Sequence, residues 1–190
     1  MKNKVVLGLW GFSDHSKNNV IPSLFNNKNF ELRVIYSRSI KNKKNNTKYK
    51  ITNNLNYFLK HSDLDCVYIC LPIALHFNAI KICLINNLHV ICEKPITNDF
   101  HNLKILIKLA KSRNLIIFES LMYQYHPSIN KLKNLVKREN FSLLEIDFCT
   151  PTLSRESFRN KKKYGASAFW DIGYYNISLI QILFNINKLN

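Results

Sequence analysis

Leu88-His89-Val90-Ile91-Cys92-Glu93-Lys94-Pro95 decides how the chain is read, because an apolar run too short for a helix stops at an acid, a base and a proline. Valine and isoleucine suit a pleated strand buried on both sides, and proline has no N–H to give to a ladder, so the strand ends by Pro95. Open α/β sheets bind ligands just beyond the carboxyl ends of their strands. Lys94 is expected at such an edge, where its ammonium can hydrogen-bond a substrate hydroxyl or carbonyl as a mobile point charge. Taken alone, the same residues fit a solvated Glu-Lys pair at a strand end equally well.

The neighbours of this strand repeat its pattern. Val5-Val6-Leu7-Gly8-Leu9-Trp10 is a first strand, followed by the turn Gly11-Phe12-Ser13-Asp14-His15-Ser16-Lys17 and an amphipathic helix through Val20, Ile21, Leu24 and Phe25. Unpaired amides and the dipole at a helix start favour an anion, so such a turn can hold a pyrophosphate. The usual Gly-x-Gly-x-x-Gly signature is reduced here to Gly11-x-Ser13-x-x-Ser16, which is weak as a lone motif. A second strand, Phe30 to Tyr36, ends in Ser37-Arg38. Asp or Glu at this place takes ribose hydroxyls, whereas a nearby arginine suits a 2′-phosphate, so Ser37-Arg38 leans toward NADP over NAD. Arg38 is otherwise a solvated loop cation.

Further along, Asn54 to Phe58 reads as a short helix and Leu64 to Leu71 as a buried strand stopped by Pro72. A helix from about Leu75 to Asn86 leads into the opening strand. Thr97 is positioned to cap a helix to about Ser112, with Leu103, Leu106, Ile107 and Leu109 on its apolar side, and Leu115 to Phe118 is one more strand. Buried strands alternating with helices predict an α/β, doubly wound parallel sheet over residues 1–120. Residues 121–190 change character: an aromatic loop, a helix Ser128 to Lys137, an extended strand Leu143 to Thr150, a polar basic stretch, and a helix that Gly165 to Tyr175 opens and that reaches Phe184. On that helix Asp171 and Tyr175 are four apart and share a face. A carboxylate and a phenol so placed can bind a polyol and move its proton, or form a plain hydrogen-bonded pair.

The totals bound the function classes. At 190 residues, 46% hydrophobic and 12% aromatic, the chain holds one full globular core and part of a second. No stretch approaches the roughly 18 apolar residues that cross a bilayer, and the first residues lack a small-residue cleavage site, so a cytoplasmic protein is expected. Cys66, Cys70, Cys83, Cys92 and Cys149 sit mostly within apolar runs and read as buried reduced thiols, with no metal site. The net charge of +16 invites a nucleic-acid partner, but lysine is spread along the whole chain and clusters only at Lys41 to Lys50 and Arg155 to Lys163, so no nucleic acid is expected.

Four blocks in order then resemble the glucose-fructose oxidoreductase and inositol dehydrogenase (Gfo/Idh/MocA) family of nicotinamide-dependent sugar and polyol dehydrogenases: Gly11 to Leu24, Asp65 to His76, His89 to Pro95 and Gly165 to Tyr175. The resemblance implies a Rossmann-type domain followed by the start of an α+β substrate domain. It implies that Glu93-Lys94-Pro95 is the family's signature tripeptide, with Lys94 near the nicotinamide. It makes Asp171 the acid of the Asp-x-Gly-x-His/Tyr pattern and Tyr175 the residue at the position that most often carries histidine. Lys94, Asp171 and Tyr175 are thus the expected catalytic residues. Gly11, Phe12, Ser13, Asp14, Ser37, Arg38, Leu71, Pro72, His76, Glu93 and Lys94 are the expected cofactor contacts, and a sugar-like molecule is the expected substrate. His126, in Tyr-Gln-Tyr-His-Pro, resembles the family's aromatic-His-Pro loop and reads as structural. Family members are longer, so the resemblance also implies a missing open sheet, an exposed apolar face on the second domain, and self-association through it. A catalytically silent dinucleotide-binding module is the alternative.

Overall fold

The computed structural model describes residues 4–40, 48–60, 63–152, 157, 159, 161–165 and 167–184, so most of the first lysine-rich cluster and part of the second lie outside the described residues. The chain divides into two compact units, Met1–Ser120 and Leu121–Asn190.

The first unit is a six-stranded parallel sheet in the order β3-β2-β1-β4-β5-β6. Its strands are β1 (Val5–Trp10), β2 (Phe30–Tyr36), β3 (Lys50–Thr52), β4 (Cys66–Ile69), β5 (His89–Glu93) and β6 (Ile117–Ser120). The order reverses between β1 and β4, which makes their carboxyl ends the switch point where such sheets open a crevice.

Near-continuous apolar strands are explained by the two cores they feed. Gly8 aside, alternate residues Val6, Trp10, Val34, Tyr36, Val67, Ile69, Val90 and Cys92 pack with Phe58 of α2 (Leu55–Leu59), Ile80, Cys83 and Leu84 of α3 (His76–Ile85), and Leu106 and Ala110 of α4 (Phe100–Ser112). Leu7, Leu9, Leu32, Ile35 and Cys66 face the other way, with Val20, Ile21 and Leu24 of the helix that ends as α1 (Ile21–Phe25). Each fully buried side chain of this size, such as Leu7 or Ile35, contributes about 1.5–3 kcal/mol.

Local departures from the sequence reading have local causes. β3 is a three-residue edge strand that a lysine-rich stretch conceals. β6 starts two residues later than the apolar run suggests, with Ile116 63% exposed. The cap of α4 is Asp99, whose carboxylate accepts from the Asn102 N–H at 2.9 Å, while Thr97 accepts from the Asp99 N–H. Ile107 is exposed and the buried stripe of α4 runs through Leu106 and Ala110.

The second unit contains α5 (Pro127–Arg138) and α6 (Tyr174–Phe184). His126 caps α5, its Nδ1 accepting from the Ser128 N–H at 3.2 Å, which gives it a structural place. The expected strand Leu143 to Thr150 does not form. No described strand lies beside it, and the Ile146 carbonyl accepts instead from the Asn176 side chain on α6 at 3.2 Å. α6 is apolar around most of its circumference, yet Ser178 is its one buried residue among those described, while Phe169 and Ile177 are exposed.

Candidate functional site

The carboxyl ends of β1, β2 and β4 meet at Gly11. The Gly11 N–H donates to Tyr36 at 2.9 Å, the Cys70 N–H donates to Trp10 at 2.8 Å, and Gly11 has φ +117°, a region that favours glycine. Beyond it, Ser13 opens the helix: its Oγ accepts from the Ser16 N–H at 3.3 Å, and its carbonyl accepts from the Ser16 hydroxyl at 2.7 Å and from the Lys17 N–H at 3.0 Å. Ser16 is fully buried at the place where the usual motif has glycine or alanine, and this bond satisfies its hydroxyl. The chain continues as a π-helical turn, Ser16–Val20, into α1. A glycine at the crossing, followed by a small buried residue against the sheet, fits a pyrophosphate turn, although Asp14 places an exposed carboxylate there and pairs with Lys17 at 3.3 Å.

At the end of β2, Ser37 is buried, its N–H donating to Thr52 and its Oγ 3.2 Å from Ser39 Oγ, while Arg38 is exposed. Leu71 and Pro72 are half-buried after β4. His76 is 1% exposed, with Nδ1 2.8 Å from the Pro95 carbonyl and Nε2 2.7 Å from the Leu71 carbonyl, so its ring ties the Leu71 and Pro95 segments together. Burial lowers its pKa, against the two carbonyls and the more distant Glu93 and Glu119, which favour the cation.

Lys94 is half-buried after β5, its bond to Pro95 is cis, and Glu119 fixes the loop beyond by accepting from the Ile96 N–H at 2.8 Å. Glu93 accepts from the Tyr68 hydroxyl at 2.7 Å and contacts His15 at 3.2 Å, and Tyr68 also meets Ser120 at 3.0 Å. Desolvation, then the Glu93 charge, drive the Tyr68 pKa upward, so the phenol keeps its proton. His15, Tyr68 and Ser120 were not singled out by sequence reasoning. The signal for Tyr68 was parallel register, since it pairs with Ile91, two residues before Glu93 on the same face.

In the second unit, Asp171 and Tyr175 straddle the junction of a π-helical turn, Phe169–Gly173, with α6, instead of lying on one straight α-helix. Asp171 pairs with Arg159 at 3.3 Å. The Tyr175 ring stacks on Phe148 at 5.3 Å and meets Tyr123 edge-on at 5.6 Å, and the Tyr123 hydroxyl lies 2.6 Å from Ser178.

A switch-point crevice with a glycine turn and a lysine after β5 defines a dinucleotide-binding α/β protein. Residues 2–121 match the model of the Gfo/Idh/MocA family, described as an oxidoreductase family with an NAD-binding Rossmann fold, and the chain belongs to that family. It is 30% identical over 128 residues to a dTDP-3,4-didehydro-2,6-dideoxy-α-D-glucose 3-reductase of Streptomyces violaceoruber, covering 66% of this chain and 37% of that one. It is 26% identical over 172 residues to the NADP-dependent scyllo-inositol 2-dehydrogenase IolU of Bacillus subtilis, covering 84% of this chain and 52% of the relative. The crystal structure of KijD10, a 3-ketoreductase from Actinomadura kijaniata in complex with NADP and TDP-benzene, superposes with a TM-score of 0.85 at 26% identity, over 95% of this chain and 57% of that one. The chain therefore spans about half the length of these relatives, or less.

Among the described residues no group of three or more His, Cys, Asp or Glu could hold a metal ion, and no helix is long and apolar enough to cross a membrane.

Proposed function

We propose that the chain is, or belongs to, an oxidoreductase that exchanges a hydride between NADP and a secondary alcohol or ketone of a sugar or polyol. The observation that carries the reading is the Gly11 crossing at the switch point, set in a family of NAD-binding oxidoreductases. When bound, the nicotinamide supplies hydride exchange at a carbon, which no side chain offers. The protein's part is to bind, orient and handle the proton. Gly11, Phe12, Ser13 and Asp14 form the turn for the pyrophosphate. Arg38, exposed beside buried Ser37, is the cation for a 2′-phosphate. Lys94 is assigned to the reacting oxygen, with Tyr175 sharing the proton and Asp171 orienting the hydroxyl, by their match to the family motifs.

The sugar-like substrate is supported by relatives named as sugar and inositol oxidoreductases. Self-association through the second unit belongs to the same reading, supported by the exposed Phe141, Leu143, Phe169 and Ile177. Four buried free thiols, Cys66, Cys70, Cys83 and Cys92, suit the reducing cytoplasm.

Fluorescence titration with NADPH and NADH tests the cofactor assignment. NADPH is expected to bind more tightly, and Arg38→Ala to erase the difference. Equal or tighter NADH binding by the unaltered chain sinks the NADP assignment. Dinucleotide binding without turnover on any keto-sugar or polyol would favour a silent binding module.

A further inference from the structure

The Glu93 carboxylate is the centre of a chain of side chains that ties the first helix to the ends of three strands. Parallel register puts Tyr68 of β4 opposite Ile91 and Ser120 of β6 opposite Glu93, so Tyr68, Glu93 and Ser120 stand on one face of the sheet. His15 reaches the same carboxylate from the helix start. The direction of every bond follows from what each group can do. The carboxylate only accepts, so Tyr68 spends its one proton on Glu93, and Ser120 must donate to the Tyr68 oxygen. His15 Nε2 must likewise carry a hydrogen, leaving Nδ1 to accept from the Asn19 amide at 3.1 Å. Asn19 therefore donates to His15 and His15 to Glu93, while Ser120 donates to Tyr68 and Tyr68 to Glu93. A ring with its hydrogen on Nε2 satisfies the whole set.

The helix that carries His15 needs such a tie. It runs through Asn18-Asn19, weak helix formers, and is short enough to be marginal without packing. The geometry points to His15 as a positioning residue for the dinucleotide: as the Nε2–H tautomer it latches the Gly11 turn onto Glu93, which Tyr68 and Ser120 hold from the other side. The phosphate turn and the peptide that leads into Lys94 thereby share one anchor. This inference rests on the dinucleotide reading above.

Two measurements test it. Long-range nitrogen–proton correlation spectra of the free protein, with His15 assigned by its loss in His15→Gln, are expected to show the hydrogen on Nε2 near neutral pH. A hydrogen on Nδ1 alone overturns the latch, because Nε2 then has nothing to donate to Glu93. In NADPH titrations, His15→Ala is expected to weaken binding by about tenfold, the lower end of what one hydrogen bond to a charged group is worth. His15→Gln, whose amide can still donate to Glu93, is expected to stay within about twofold of the unaltered protein on the same scale. Tyr68→Phe should weaken binding less than His15→Ala and add little in that background, because each acts through Glu93. Equal loss in His15→Ala and His15→Gln, no loss in either, or strict additivity with Tyr68→Phe overturns the proposal. If the unaltered chain binds no NADPH, the dinucleotide reading fails and takes the positioning role with it, while the tautomer still decides whether the latch exists.

Discussion

A Cβ added at Gly11 would stand 2.2 Å from the carbonyl oxygen of Cys70, and the φ of +117° at Gly11 is itself one that other residues rarely adopt. The obstacle is backbone of the neighbouring strand end, which cannot swing aside as a side chain could.

Gly11→Ala is therefore expected to cost at least about 2 kcal/mol in urea unfolding, from strain and forced separation of the β1 and β4 ends. NADPH binding should be lost with it. Unfolding at the same urea midpoint as the parent would show that the crossing tolerates a methyl group.

The thiols give a second test. Burial pushes Cys70 up to about 11 and Cys66 to about 12, and it raises Cys83 and Cys92 further, whereas Cys149 is exposed. Since the thiolate is the reactive form, a disulfide reagent at mildly alkaline pH should find one fast thiol in the native chain and the others only after denaturation. Cys149→Ser should remove the fast phase. A second fast thiol would mean that the sheet opens more readily than its packing implies.

What was legible in the sequence follows from how each feature is encoded. The strands β1, β2, β4 and β5 were readable because burial on both faces leaves continuous apolar runs, and the Val90, Cys92 and Ile91 alternation only divides such a run between two cores. β3 was not, because a three-residue edge strand beside a lysine-rich stretch has too few apolar residues to show a period. Leu143 to Thr150 misled in the opposite sense: alternation in Leu144-Glu145-Ile146-Asp147-Phe148 describes a strand, but a strand needs a neighbour to pair with, and none is present among the described residues. At the site, Gly11, Glu93 and Lys94 were carried by local motifs. His15, Tyr68 and Ser120 were not, since their meeting at Glu93 depends on strand register and helix direction, which no single segment contains.

For Lys94, the expected separation is between binding and chemistry. Lys94→Ala should leave NADPH binding within about threefold, since phosphate contacts at the Gly11 turn are untouched, while turnover falls by about a hundredfold or more, as for loss of a group engaged in proton transfer. Measuring the dissociation constant and the turnover number on the same preparation checks both halves. Near-normal turnover on a true substrate would remove Lys94 from the reacting oxygen.

His76 carries a prediction about acid stability. Burial holds its pKa below the ordinary 6.5, although the Leu71 and Pro95 carbonyls and the more distant Glu93 and Glu119 favour the cation. As pH falls, the unfolded chain takes up this proton first, so the unfolded state binds more protons and folding stability declines. The decline begins near 6.5, continues until the folded protein also protonates, and then levels off. Above 6.5 the full contribution is present. To isolate this one group the test is a difference: urea midpoints at pH 7.5 and pH 5.5 are compared between the parent and His76→Gln, which keeps a donor but no titrating group. The variant is expected to lose less stability on acidification than the parent. An equal loss in both would mean that folding does not shift His76, and a larger loss in the variant would mean that His76 is already charged in the folded protein, donating to both carbonyls at once.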